Sequence, residues 1–258
     1  TLCAVAWEYQ KTMSKTYVVI NDIQYPFHDE QCIDLVKTFI KDIKPDGTVL
    51  NGDIVDCYPI SSFTKNPMQR TDLLLERRYA HDLMKHVSKY SKENMWLEGN
   101  HEKRLWRIVA DKTPELGIFP ELSFPRLFGL EDFGFKWHPY GDLVKLGHLR
   151  ITHGEMVRAD SGATAKAYWN KYRTSVMIGH TQRFGAFYIT CMGEQYACFE
   201  NACLCSMKPE YVPFPNWQQG ISVVTVDDDK MFQVQQLPIF KKAGKAFLMY
   251  GKERYWVK

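Results

Sequence analysis

The sequence predicts an α/β fold with a second, more antiparallel sheet, and three observations support this. Short runs of Val, Ile and Leu recur through the first two-thirds of the chain, and each ends in a polar cluster with Gly, Asn, Asp or His. Segments of helical periodicity separate several of these runs, as is typical of an α/β core. After about residue 184, short strand-like runs joined by turns replace the helical patterns and indicate hairpins.

Five apolar runs are predicted to be buried strands, because runs of three to five residues bounded by Gly or Asn are too short for helices. They comprise residues 17–20, 48–50, 95–97, 149–152 and 176–178. Helices are predicted where apolar residues recur at helical spacing, as at Ile33, Val36 and Ile40. These segments are residues 30–43, 71–90 and 162–172.

The segment from Phe184 to about Pro238 is predicted to form the second sheet, because strand-like runs alternate there with turns such as Met192-Gly193. Residues 113–140 contain four prolines and many aromatic residues without a clear period. We expect them to form an ordered insertion near the functional site. No repeat or Gly/Ser linker is present, so residues 13–258 are expected to form a single domain, preceded by an N-terminal extension at residues 1–12.

Composition limits the class of protein. With 258 residues, 45% of them hydrophobic and 24% charged, the chain can bury a sizeable core. No apolar run approaches the roughly 18 residues that cross a membrane, so no membrane association is expected. The net charge of +3 is too small to indicate a nucleic-acid binder. Residues 65–107 carry ten Lys and Arg against six Asp and Glu, which fits a solvated helix face or an anionic substrate equally well.

Seven cysteines occur without any CxxC pair, which predicts reduced thiols and a cytoplasmic protein. Cys203 and Cys205 are separated by one residue, so they could bind a metal ion. Without a second such pair, alternation of side chains along a strand is the favoured interpretation.

Polar residues directly follow each of the five predicted strands. In open α/β sheets ligands bind outside the carboxyl ends of the strands, so these residues could converge. Each fragment alone is usually a turn, but five in series are difficult to explain as turns. The fragments are Asn21-Asp22, Asn51-Gly52-Asp53, Gly99-Asn100-His101, His153-Gly154 and Gly179-His180.

These fragments resemble the calcineurin-like metallophosphoesterases, whose pattern is D-x-H, GD-x-x-D, GNH-D/E, H-G and GH-x-H. The matching segments occur in the same order across residues 16–185, and the opening 22–29 is similar to bacterial and phage-type members. The resemblance implies a two-sheet β-sandwich flanked by helices, with a metal site at the carboxyl ends of the strands. The matches are Asp22–Gln24, Gly52–Asp56, Gly99–Glu102, His153-Gly154 and Gly179–Gln182.

The resemblance also implies a role for each matched residue. Two divalent ions would be held, with Asp53 bridging them and Asp22 in the first metal subsite. His101 would protonate the leaving oxygen or hold the phosphoryl group, and Asp56 would orient His101. The remaining ligands of the second metal subsite would be Asn100, His153 and His180.

The chain departs from the family pattern at Gln24 and Gln182, where histidines are usual, and both positions belong to the first subsite. Three interpretations remain open. In the first, the amides are ligands in an oxygen-rich site that favours Mn²⁺ or Mg²⁺ over Zn²⁺. Alternatively, the first site is weak and fills only with substrate, or the chain is a scaffold without activity. Two divalent ions are expected, with Mn²⁺ favoured and Mg²⁺, Fe or Zn²⁺ as alternatives.

Arginines near the motifs are candidate ligands for a substrate phosphate, because a guanidinium pairs bidentately with phosphate. The expected reaction is hydrolysis of a phosphate ester by metal-activated water. A phosphodiesterase acting on nucleotides or nucleic acid is favoured, because a basic helical segment and an aromatic insertion flank the site. A phosphomonoesterase and a non-catalytic metal-binding module remain alternatives, and the sequence does not predict an oligomeric state. The candidate arginines are Arg104, Arg158 and Arg183; Tyr58 and Phe63 are expected at the mouth of the site, and Trp96 and Trp106 in the core.

Overall fold

The computed structural model of the chain describes residues 13–69, 71–209 and 214–257, so the extension expected at residues 1–12 lies outside the described residues. The described residues form the helices α1 (Glu30–Ile43), α2 (Leu73–Tyr90), α3 (Lys103–Lys112), α4 (Phe124–Leu127) and α5 (Ala163–Tyr172). The strands in the same residues are β1 (Ser14–Ile20), β2 (Gly47–Asn51), β3 (Glu93–Leu97), β4 (Phe135–His138), β5 (Val144–Leu146), β6 (Leu149–Thr152), β7 (Val176–Ile178), β8 (Gly185–Cys191), β9 (Glu194–Glu200), β10 (Gly220–Asp227), β11 (Phe232–Pro238), β12 (Phe240–Lys242), β13 (Lys245–Tyr250) and β14 (Glu253–Trp256).

The first sheet has six strands in the order β11-β10-β1-β2-β3-β4. Strands β1 to β4 are parallel; β10 pairs antiparallel with β1, and β11 pairs antiparallel with β10. Helix α1 connects β1 to β2 and α2 connects β2 to β3, which are the crossover connections that parallel neighbours need. Strand β2 is buried over its whole length, as expected of a strand covered on both faces.

Helices α1 and α2 cover the outer face of the first sheet. Asp29 caps α1 by accepting a hydrogen bond from the Cys32 N–H at 3.2 Å, and Asp72 caps α2 by accepting one from the Leu75 N–H at 2.7 Å. Such caps satisfy backbone donors that lack a partner within the helix. The apolar faces of both helices belong to one core cluster with residues of β1 to β3.

The second sheet has five strands in the order β5-β6-β7-β9-β8. Helix α5 covers its outer face, where Trp169 is buried. Between the sheets, Val19 and Val49 of the first sheet share an apolar cluster with Ile151 and Met177 of the second. The fold is therefore a two-sheet sandwich with helices on its outer faces, which confirms the predicted fold class.

The assignment of strands to sheets differs from the prediction. The hairpins after residue 184 do not form one separate sheet, because β8 and β9 join the second sheet whereas β10 and β11 extend the first. The predicted core strands β6 and β7 also lie in the second sheet. Apolar alternation indicates a strand without specifying its partner. Residues 220–224 of β10 are all buried, which suits its interior position between β1 and β11.

Residues 113–140 form short 3₁₀ turns and α4 before they reach β4, which adds to the edge of the first sheet beside β3. Trp96 is buried as expected, but the expectation of a buried Trp106 is wrong, because α3 has no buried residue and Trp106 is 65% exposed.

Strands β12 to β14 form a small antiparallel sheet that packs against Phe39 of α1. Among the described helices, none is both long and apolar enough to span a membrane.

Candidate metal centre

The polar loops that follow β1, β2, β6 and β7 meet at one end of the sandwich. The Asp22 N–H donates to the Gly52 carbonyl at 3.0 Å, and Nδ1 of His153 lies 2.8 Å from the Asn51 carbonyl. The His180 N–H donates to Asp22 Oδ2 at 2.9 Å. Loops from both sheets are therefore bound to one another directly, and the structure brings the sequence motifs together.

Several of the predicted site residues have a left-handed backbone, a conformation that residues other than Gly rarely adopt. Each costs about 1–3 kcal/mol and persists where the surroundings hold it in place, most often at functional sites. In this chain the hydrogen bonds between the loops provide that restraint. The residues are Asp22 (φ 51°), Gln24 (φ 55°), Asp53 (φ 51°), His180 (φ 63°) and Gln182 (φ 58°).

Two glycines allow these loops to approach closely. A Cβ added at Gly99 would lie 2.2 Å from Asp53 Oδ1, and one added at Gly52 would lie 2.5 Å from His153 Nδ1. Gly52 also has a φ of 79°, which favours Gly. A side chain at either position would displace a predicted metal ligand.

The four predicted ligands of the second subsite lie together. Potential ligand atoms of Asp53, His153 and His180 are all within 4.8 Å of one another. Nε2 of His153 lies 3.2 Å from Asp53 Oδ2 and 3.1 Å from Asn100 Oδ1. A carboxylate, an amide oxygen and two imidazoles form a donor set that suits first-row divalent cations.

The first subsite contains buried polar atoms without a partner. Asp22 is fully buried, and its Oδ1 has no hydrogen-bond partner, although its Oδ2 accepts from the Asn21 amide and the His180 N–H. Gln24 is 4% exposed, and its Nε2 also lacks a partner. Unpartnered buried polar atoms are rare in proteins, and a bound ion is one of the groups that can satisfy such a carboxylate oxygen. The residues of this subsite therefore fit a cation, which Asp22, Asp53, Gln24 and Gln182 would hold.

His101 and Asp56 form the predicted pair beside the metal ligands. Nδ1 of His101 lies 3.2 Å from Asp56 Oδ2, and its Nε2 lies 3.6 Å from Asp53 Oδ2. Arg104 contacts both residues, with Nη1 2.8 Å from Asp56 Oδ1 and 2.6 Å from its carbonyl oxygen, and Nη2 3.2 Å from His101 Nε2. Burial would lower the pKa of His101, but Asp53 and Asp56 outweigh it and raise that pKa.

The charges within the cluster shift one another's pKa values. Burial alone would raise the pKa of Asp53, but His101 and His153 outweigh it and hold that pKa well below its usual range. Burial would lower the pKa of His153, whereas Asp53 raises it to about 10. Burial and then His153 lower the pKa of His180 to about 4. Burial raises the pKa of Asp22 to about 6. A bound cation would displace the proton that the cluster otherwise keeps on His153.

The three candidate phosphate-binding arginines have different surroundings. Arg104 lines an open cleft next to His101. Arg158 has an exposed side chain. Arg183 is only 5% exposed, and its guanidinium is 3.1 Å from Glu200 and donates to the carbonyls of Ala159 and Arg158. Its donors are therefore occupied inside the protein, and the structure does not bring Arg183 into the cleft that Arg104 lines.

Glu102 is a positioning residue that the sequence reasoning missed. It is fully buried, and its carboxylate accepts hydrogen bonds from the N–H groups of Asp53 (2.9 Å), Ile54 (2.8 Å) and Gly99 (2.9 Å). Burial, and then the nearby charge of Asp53, raises its pKa to about 7. The signal in the sequence that pointed to Glu102 was its position directly after His101 in the third motif. Glu102 joins the loop of Asp53 to the loop of Asn100.

Two clefts open beside Asp56, and His101 lines one of them. The larger has a volume of about 730 Å³ and is lined by Phe63, Lys65, Asn100, His101 and Arg104, among others. The smaller, about 260 Å³, includes Gln24, Phe27, Cys205 and Trp217. Asp56 and Tyr58 line both clefts, so the two meet at the site.

Comparison with known proteins identifies relatives along most of the chain. The Gene 54 protein of Mycobacterium phage D29 is 32% identical over 231 residues, covering 83% of this chain and 90% of that protein. The Gene 54 protein of Mycobacterium phage L5 is 30% identical over 234 residues, with the same coverage. Vacuolar Protein Sorting 29 from Cryptosporidium parvum has a similar fold, with a TM-score of 0.51 at 12% identity and coverage of 94% of this chain and 98% of that one.

A sequence profile described as calcineurin-like phosphoesterase matches residues 15–188. The match spans about two-thirds of the chain and includes every predicted metal ligand from Asp22 to Gln182. The chain therefore belongs to the calcineurin-like phosphoesterase family and is a hydrolase that acts on phosphate ester bonds.

Proposed function

We propose that this hydrolase cleaves phosphodiesters, with nucleotides or nucleic acids as the substrate class. The observation that supports a diester is the pair of clefts that meet at Asp56 and Tyr58. A phosphate at their junction can carry one substituent in each cleft. A monoester needs only one such space, so it would leave the second cleft unused.

The larger cleft offers contacts that suit a nucleotide. Phe63 is 73% exposed, and the guanidinium of Arg104 lies 5.9 Å from the centre of its ring. Lys65 lines the same space. Bases stack on exposed aromatic rings irrespective of sequence, and cations beside such rings pair with the phosphates. We therefore expect binding that weakens as the salt concentration rises.

The predicted site residues would have different roles in the reaction. Asp53, Asn100, His153 and His180 would hold the second cation, for which their oxygen and nitrogen donors suit Mn²⁺, with Mg²⁺, Fe or Zn²⁺ as alternatives. Two such ions supply an activated water nucleophile and neutralise the charge of the phosphate. His101 would give a proton to the leaving oxygen, and Asp56 would fix the ring through Nδ1. Arg104 keeps Asp56 in place for this task.

A comparison of two chromogenic esters tests the proposal. With Mn²⁺, the chain should hydrolyse bis-p-nitrophenyl phosphate faster than p-nitrophenyl phosphate, and His101→Ala should abolish the reaction. His148→Ala, which changes an exposed histidine in the β5–β6 turn, serves as the control and should retain full activity. Single-stranded and duplex DNA and RNA and cyclic nucleotides then define the class of diester.

Two outcomes would contradict the proposal. Preferential hydrolysis of the monoester would identify a phosphomonoesterase. Bound metal without hydrolysis of any ester in the panel would identify the non-catalytic module.

A further inference from the structure

The segment that carries Cys203 and Cys205 runs alongside the loop of the first metal subsite. The Leu204 N–H donates to the Asp22 carbonyl at 3.1 Å, and the Ser206 N–H donates to the Phe27 carbonyl at 2.8 Å. A further bridge pairs Cys205 with His28. These backbone contacts hold Cys205 against the loop that presents Asp22 and Gln24.

The side chain of Cys205 points toward the residues of the first subsite. Its thiol donates to Gln182 Oε1 across 3.9 Å, and it lines the same cleft as Gln24 and Asp56. Cys205 is 2% exposed and forms no disulfide. The thiol of Cys203 instead donates to the Gln218 carbonyl at 3.4 Å. The two cysteines are thus not equivalent, and only Cys205 contacts a predicted ligand.

An independent observation indicates that a ligand belongs at this place. Asp22 Oδ1 and Gln24 Nε2 are both buried and without a hydrogen-bond partner. A half-turn of the Gln24 amide exchanges its nitrogen and oxygen, so its oxygen can take the unpartnered position. Leaving such groups buried and unpaired destabilises a protein, whereas a cation bound by the two oxygens would satisfy them.

We propose that Cys205 is a ligand of the first metal subsite, together with Asp22, Asp53, Gln24 and Gln182. This inference rests on the proposed two-metal function. The thiol loses its proton to solvent and the sulfur binds the cation as a thiolate, so that no oxidant or reductant is needed. The thiolate supplies a soft donor to a subsite in which both usual imidazoles are replaced by amides.

A thiolate ligand would change which cation the first subsite prefers. Oxygen donors alone favoured Mn²⁺ or Mg²⁺ at this subsite, but thiolate selects softer ions such as Zn²⁺. The second subsite has no sulfur among its predicted ligands. We therefore infer two unlike subsites, of which the first prefers a thiophilic divalent cation.

Titration of the full chain with Co²⁺ tests this inference, because a thiolate bound to Co²⁺ gives a charge-transfer band in the near ultraviolet. The wild-type chain should bind two Co²⁺ and show the band. Cys205→Ser should lose the band, keep one tightly bound Co²⁺ and bind the other at least about tenfold more weakly. Cys203→Ser should keep the band. Cys198→Ser, a buried cysteine beside α5, is the matched control and should also keep it.

X-ray absorption of the wild-type chain with Zn²⁺ gives an answer that needs no variant, since a zinc–sulfur distance of about 2.3 Å is expected. Two bound Co²⁺ without a charge-transfer band, or zinc without a sulfur neighbour, would overturn the role of Cys205 and leave the two-metal proposal intact. A chain that binds neither Co²⁺ nor Zn²⁺ would overturn both.

Discussion

At the scale of single residues, the site depends on side chains whose positions are fixed by their neighbours. Asp56 contacts both the ring of His101 and the guanidinium of Arg104, so its own orientation is determined from two directions. Glu102 accepts hydrogen bonds from the backbone N–H groups of Asp53, Ile54 and Gly99. The groups proposed to act on substrate are therefore held before any ligand binds, as preorganised catalysis requires.

Asp56→Asn should lower kcat on bis-p-nitrophenyl phosphate on the order of 10²-fold with little change in KM. The amide retains the size of the carboxylate but no longer fixes the His101 ring with a charged acceptor, so proton transfer suffers. Steady-state kinetics with Mn²⁺ measure the effect. Asp111→Asn, an exposed position on α3, is the control and should be unchanged. Equal rates for Asp56→Asn and the wild type would remove Asp56 from the mechanism.

Gly99→Ala should weaken both the fold and the metal site. Its Cβ would lie 2.2 Å from Asp53 Oδ1, so the carboxylate must move. We expect a loss of about 1–3 kcal/mol in the free energy of unfolding, typical of overpacking, together with weaker Mn²⁺ binding. Urea unfolding and metal titration measure the two effects. Gly117→Ala is the control, because its added Cβ would meet only Val109, at 3.9 Å; similar results for the two variants would contradict the prediction.

At the scale of the elements, local patterns predicted α1, α2, α5 and the five core strands, missed α3 and β4, and did not predict the partners of the strands. Helix α1 begins and ends as predicted, because its cap and its apolar stripe are both local. The pairing of β1 with β10 joins residues such as Tyr17 and Val224, which are far apart in sequence. No local alternation encodes such a contact. The same holds for Cys205, whose neighbour Gln182 is brought close only by the folded loops.

Helix α2 contributes to the site through Glu76, which is fully buried and accepts from the N–H groups of Cys57 (2.6 Å) and Tyr58 (3.1 Å). Burial raises the pKa of Glu76 to about 8. Between its unfolded pKa of about 4.5 and this value, the folded chain keeps a proton that the unfolded chain has lost. Stability should therefore fall as the pH rises through this range.

Glu76→Gln should remove this part of the pH dependence. We expect the free energy of unfolding of the wild type to fall by up to about 1.4 kcal/mol per pH unit from this group, and the variant to have a correspondingly flatter profile. Urea unfolding of the metal-free chain between about pH 5 and pH 8 measures both. Glu115→Gln, an exposed position, should behave as the wild type. Parallel profiles for wild type and Glu76→Gln would show that Glu76 is ionised in the folded chain.

At the scale of the whole molecule, the metal centre lies where the two sheets meet. Asp22, Asp53 and Asn100 follow strands of the first sheet, and His153 and His180 follow strands of the second. The order of motifs in the sequence was enough to predict that these residues converge. It did not indicate that they come from different sheets, because that depends on the packing of β6 and β7 behind the first sheet.

Because the ligands come from both sheets, bound metal should stabilise the entire fold. Binding to the folded chain alone adds about 2.7 kcal/mol at a free metal concentration of about 100 times Kd. For a chain of this length that corresponds to a rise in Tm of roughly 5–10 °C. Thermal unfolding with EDTA and with Mn²⁺ or Zn²⁺ measures the shift. His153→Ala should abolish most of it, because His153 bonds to the last residue of β2 and contacts Asp53, whereas the exposed His148→Ala should preserve it. An unchanged Tm with metal demonstrably bound would mean that the ions do not join the two sheets.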